Sequence, residues 1–150
     1  MDQKCILLIE DNPDDEELTL HALRDAGVSN PVVVARDGAE ALDRLLGSRG
    51  WPGGGDAPGL PAVVLLDIKL PKVSGLDVLR QIRASPRTRL LPVVILTSSS
   101  EERDLVEGYS LGCNSYVRKP VDFGQFTRAV RQLGLYWLLL NEGPPAEGVT

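Results

Sequence analysis

Three carboxylates stand directly behind short apolar runs: Glu10 and Asp11 follow CILLI, and Asp67 follows AVVLL. Carboxylates gathered in one place repel and raise each other's pKa values unless a cation neutralises them. A hard divalent ion meets that need. Mg2+ takes oxygen ligands in an octahedron at roughly 2.0 to 2.1 Å and keeps several waters, so two carboxylates and a backbone carbonyl suffice. Asp11, Asp67 and the carbonyl of Lys69 can supply them. Taken singly, each acid reads equally well as a helix cap or a solvated loop residue. The other strand ends tip the balance, because the fourth strand ends at Thr97 and the fifth at Lys119. A hydroxyl and an ammonium facing a metal-bound carboxylate make a pocket for a dianion, which is what a phosphoryl group in transfer presents.

The elements that must position these groups follow from the patterning. Short apolar runs rich in β-branched residues alternate with longer amphipathic segments, the signature of a parallel sheet covered by helices on both faces. The strands are placed at Cys5 to Ile9, Pro31 to Ala35, Ala62 to Leu66, Val93 to Leu96 and Ser115 to Arg118, and their apolar continuity predicts burial. Helices are placed at about Asp14 to Ala26, Ala39 to Leu46, Leu76 to Ala84, Glu101 to Leu111 and Asp122 to Asn141. Asn12-Pro13 opens the first helix and Gly27 closes it. Ser99 or Ser100 is placed to cap the fourth, with Glu101 and Glu102 in its first turn, and Gly112-Cys113-Asn114 closes it. The expected fold is α/β, a doubly wound five-stranded parallel sheet in the order 2-1-3-4-5. There ligands bind beyond the strand carboxyl ends, between the first and third strands.

The motifs IEDN, LLDIKLP, LTSS and YVRKP, in this order and spacing, resemble those of the response-regulator receiver family of two-component signalling, which has a flavodoxin-like fold. The resemblance covers residues 4 to 140. It implies that Asp67 is the phosphoacceptor and that Glu10, Asp11, Asp67 and the Lys69 carbonyl form the Mg2+ site, with Glu10 in support. It implies that Thr97 and Lys119 hold the phosphoryl oxygens. It makes Thr97 and Tyr116 the switch pair and the Lys119-Pro120 peptide cis, and it sets Lys69 and Ser99 beside the path of the hydrolytic water. Such a protein catalyses its own phosphotransfer and dephosphorylation without being a conventional enzyme. IEDNPDDEE, the insertion before the third strand and LYWLLLNE resemble, more narrowly, single-domain regulators partnered with bacterial phytochromes and related sensor histidine kinases. The competing expectation is a receiver-shaped binding module that works without phosphorylation, which a missing pocket residue would favour.

Other phosphate chemistries lack their residues. A haloacid-dehalogenase-type hydrolase needs an acid two places after its nucleophile, where this chain has Lys69. GxxxxGK[ST] and GxGxxG are absent, and a flavin-phosphate loop after the first strand is replaced by acidic EDNPDDEE, which would repel a phosphate. His21, the one histidine, falls within the first helix and is expected to be surface or packing.

Composition narrows the partners. Net charge is −5 and no Lys/Arg cluster stands out, which disfavours nucleic acid. No run approaches the roughly 20 apolar residues of a membrane span. The start of the chain lacks the pattern of an export signal, and Cys5 and Cys113 form neither a metal pair nor a disulfide framework, so a cytoplasmic setting is expected.

The receiver domain is placed at 1–141, with a Gly/Pro-rich surface insertion at 47–61 containing Trp51, and a flexible tail at 142–150. In the last helix Phe126, Val130, Leu133, Trp137 and Leu140 form one stripe, while Leu135, Tyr136, Leu138 and Leu139 spread apolar surface round the rest. One core cannot bury every side. A homodimer packed through Leu133, Tyr136, Trp137 and Leu140 is therefore expected, in agreement with the narrower resemblance.

Overall fold

A computed structural model of the 150-residue chain describes residues 5–47, 60–98, 101–119 and 122–132. Among these described residues, five strands alternate with five helices. They are β1 (Ile6–Ile9), α1 (Pro13–Asp25), β2 (Val32–Ala35), α2 (Gly38–Leu46), β3 (Val63–Leu66), α3 (Gly75–Ala84), β4 (Val93–Thr97), α4 (Glu102–Ser110), β5 (Ser115–Arg118) and α5 (Phe123–Gln132). All pairings are parallel and the strand order is β2-β1-β3-β4-β5, the order expected. Among the described residues no helix is long and apolar enough to cross a membrane.

Alternation along each strand sends side chains to opposite faces of the sheet, and two cores result. Leu7, Ile9, Val64, Leu66 and Ile95 face α2 and α3, meeting Leu45, Val78, Leu79 and Ile82. Ile6, Leu8, Leu65, Val94 and Leu96 face α1 and α5, meeting Leu23, Phe126 and Ala129. The central strands β1, β3 and β4 are buried throughout. The edge strands depart from the expected burial: Val32 to Val34 of β2 are only partly buried, and in β5 Tyr116 is half-buried and Arg118 exposed. An edge strand has a neighbour on one side only and is less fully covered by helices.

The helix starts are set by local chemistry. Asn12 caps α1, its Oδ1 accepting from the amides of Asp14 at 2.8 Å and Asp15 at 3.2 Å, with Pro13 in the first turn. Asp37 and Ser74 cap α2 and α3 in the same way. The fourth helix differs from expectation, because it begins one residue later. Glu101 therefore occupies the cap position without a capping hydrogen bond and pairs instead with Arg103 at 2.8 Å. Ser99 and Ser100 lie outside the described residues.

At the sheet's other end, Arg83 of α3 ties three segments together. Its guanidinium donates to the carbonyls of Arg89, Leu91 and Gly112 and to Asn114 Oδ1, at 2.6 to 3.1 Å. Asn114 Oδ1 also accepts from the Val93 amide at 2.8 Å.

Candidate functional site

The backbone ladder runs one residue beyond three strands, and each of those residues carries a charged side chain. The Glu10 amide donates to Ala35 O at 2.9 Å, the Asp67 amide to Ile9 O at 3.1 Å, and the Lys119 amide to Thr97 O at 2.9 Å. Parallel strands share a carboxyl edge, so Glu10, Asp67 and Lys119 converge there without help from a flexible loop. The pairing of Leu66 with Ile95 sets Asp67 beside Leu96, one residue short of Thr97, which is fully buried.

Glycine brings the next helix close behind Asp67. A Cβ at Gly75 would lie 2.0 Å from the Asp67 carbonyl oxygen and 2.6 Å from Ile68 Cα. No side chain fits there. The Gly75 amide instead donates to Ile68 O at 2.8 Å, fastening the start of α3 to the end of β3. Between them Lys72 adopts φ 67°, a left-handed conformation rare for a residue with a Cβ, and its ammonium reaches Asp37 at 3.3 Å.

The charged groups meet around Lys119. Its Nζ donates to Glu10 Oε1, to Asp67 Oδ2 at 3.0 Å and to Asp15 Oδ2 at 3.0 Å. Asp67 Oδ1 accepts from the Lys69 amide at 3.1 Å. Glu10 is 1% exposed and the Lys119 side chain 7%. Burial pushes the Glu10 carboxyl up to about 7, against the lowering pull of its Lys119 hydrogen bond. Burial alone would depress Lys119, but its hydrogen bonds to Glu10, Asp67 and Asp15 outweigh that and hold it above the ordinary lysine value.

One carboxylate oxygen each from Glu10, Asp11 and Asp67 lie within 4.8 Å of one another, with Asp11 exposed to solvent. This all-oxygen donor set, open on one side, fits a hard divalent cation that retains water. Glu10, Asp11, Asp67, Thr97 and Lys119 thus come together at one edge. Tyr116 stands on β5 opposite Ile95, packed against the core on the α3 side. His21 lies on the exposed face of α1, 3.2 Å from Asp25. Pro120, Trp51, Leu133, Tyr136, Trp137 and Leu140 lie outside the described residues.

Asp15 is the site residue the sequence does not single out. It is one of six acids in EDNPDDEE, and only the phase of α1, set by its start at Pro13, turns it toward Lys119.

Residues 6–131 match the family model described as the response regulator receiver domain. The bacteriophytochrome response regulator RtBRR is 55% identical in sequence and superposes with a TM-score of 0.79 over 95% of this chain and 85% of its own. The probable methanogenesis regulatory protein FilR2 of Methanothrix harundinacea is 43% identical over 143 residues, 95% of this chain and 89% of that protein. Response regulator Rcp1 of Synechocystis sp. is 33% identical over 135 residues, 90% of this chain and 89% of that protein. Its Mn2+-bound structure superposes with a TM-score of 0.70 at 31% identity, covering 95% of this chain and 99% of that one.

Proposed function

Since the chain belongs to the response-regulator receiver family, we propose that Asp67 is its phosphoacceptor. One observation carries this assignment: Asp67 is nearly buried at the end of β3, with the Lys119 ammonium 3.0 Å from one oxygen and the carboxylates of Glu10 and Asp11 beside it. In the proposed step Asp67 attacks the phosphorus of a phosphohistidine in line. The new O–P bond forms as the P–N bond breaks, and the imidazole leaves with the electron pair of that bond. Lys119 and the Thr97 hydroxyl hold the equatorial oxygens. Glu10, Asp11, Asp67 and the Lys69 carbonyl would hold Mg2+, which when bound supplies charge neutralisation at the same oxygens. The Mn2+ recorded for Rcp1 supports a divalent cation on this donor set.

The donor is a sensor histidine kinase of phytochrome type, a reading supported by the resemblance to RtBRR. The signal leaves through Thr97 and Tyr116, which end β4 and occupy β5 next to it. Lys69 and Ser99 control hydrolysis of the acyl phosphate. The protein is a homodimer joined through Leu133, Tyr136, Trp137 and Leu140.

Intact-mass measurement with Mg2+ and a small phosphodonor tests the assignment. The chain gains one phosphoryl group and Asp67→Asn gains none. A folded Asp67→Asn protein that still gains the group would overturn it.

A further inference from the structure

An ammonium has three protons to donate and no more, and all three on Lys119 are engaged by carboxylates: Glu10, Asp67 and Asp15. A phosphoryl oxygen reaches Nζ only by displacing one of them. Glu10 has a side chain 1% exposed, and releasing it strands an anion in the interior at the cost of its desolvation, while Asp67, 10% exposed, is the acceptor itself and stays in place at the group's point of attachment. The Asp15 side chain is 34% exposed and stands in the first turn of α1, where it can turn to water. Asp15 is the partner that yields. Until then its carboxylate occupies a place suited to a phosphoryl oxygen: an anion within hydrogen-bond reach of Lys119, on the accessible side of the pair.

We propose that Asp15 is a built-in occupant of the phosphoryl pocket, which must be expelled when the group arrives and so sets how tightly the pocket holds it. This rests on Asp67 being the phosphoacceptor. Asp15 is a positioning residue, since it acts through Lys119. Competition for Nζ and repulsion between the carboxylate and the incoming dianion work in the same direction. Asp15→Asn, which keeps the shape of the side chain and loses its charge, removes the repulsion and reduces the competition to that of a neutral acceptor.

The test uses the full chain and beryllofluoride, which becomes tetrahedral on bonding to a carboxylate oxygen and so stands in for a phosphoryl group. Titrations are followed by calorimetry at Mg2+ concentrations shown to be saturating for each variant. Asp15→Asn binds at least about fivefold tighter than the unaltered chain at low salt, the factor corresponding to the upper range for an exposed ion pair. The gap narrows as salt is added. Asp15→Glu, which restores the charge, stays near the unaltered chain. Asp14→Asn removes an equal charge from the neighbouring, exposed residue and changes affinity by less than about twofold. A role limited to supporting the start of α1 would instead lower thermal stability and leave affinity equal or weaker. If the unaltered chain binds, Asp67→Asn does not, and Asp15→Asn is no tighter, the role of Asp15 alone is overturned. If the unaltered chain itself fails to bind, the phosphoacceptor assignment falls and the role of Asp15 with it.

Discussion

Lys119 Nζ lies 3.0 Å from Asp67 Oδ2 although β4 separates the strands behind which the two residues stand. The lysine stem spans that strand, and the contact couples the third strand to the fifth. Glu10, on the first, shares the same ammonium. Removing one partner of a buried ion pair leaves an uncompensated charge and costs about 3 kcal/mol or more. Lys119→Ala is therefore expected to lower the unfolding free energy of the metal-free protein, read from urea denaturation at pH 8, by that order. Added Mg2+ recovers part of the loss, because a second cation then serves the same acids.

Gly75 is a second point of sensitivity. A methyl group at this position meets the Asp67 carbonyl at 2.0 Å, and the obstacle is backbone, which cannot swing aside. Gly75→Ala is expected to cost about 3 kcal/mol, the upper range for overpacking. It also weakens Mg2+ binding, since the displaced segment carries both Asp67 and Lys69. Urea unfolding and a Mg2+ titration check the two parts separately.

The raised pKa of Glu10 fixes the sign of a pH effect. Its ordinary value of 4.5 moves to about 7 in the fold, chiefly through burial. Between these values the folded chain keeps a proton that the unfolded chain has released, so stability falls as pH rises. The contribution is complete below 4.5 and gone above 7. Urea midpoints of the metal-free protein at pH 5 and pH 7.5 reveal it, and Glu10→Gln should flatten the difference. An unchanged slope in that variant assigns the effect to another group.

Light scattering checks the dimer. The unaltered chain is expected to run as a dimer, and a chain carrying Trp137→Glu and Leu140→Glu as a folded monomer. A double variant that remains dimeric moves the contact elsewhere.

Glu10, Asp67, Thr97 and Lys119 are legible in the sequence for one reason: each ends or immediately follows a strand, and parallel strands bring such positions to one edge. Asn12-Pro13 is legible because capping is local chemistry. What depends on three-dimensional approach is not. On sequence grounds α3 begins at Leu76, and nothing in the neighbourhood of Gly75 announces that Asp67's carbonyl will lie against it. The acceptors of Arg83 are mostly backbone oxygens, which every residue carries, so that side chain has no visible motif. The partial exposure of β2 and β5 escapes because Val32 to Val34 read the same at an edge as at the centre.

The contacts of Arg83 have a mechanical meaning. One guanidinium joins the end of α3, the approach to β4 and the turn leading into β5, and it does so at the pole of the sheet farthest from the acids. Thr97 and Lys119 sit at the opposite ends of those same two strands. A body pinned at one pole swings and does not slide. Any displacement that a phosphoryl group were to impose at the acidic rim is thus expected to be carried as a tilt of β4, β5 and the helix between them, largest beside the group and smallest at Arg83.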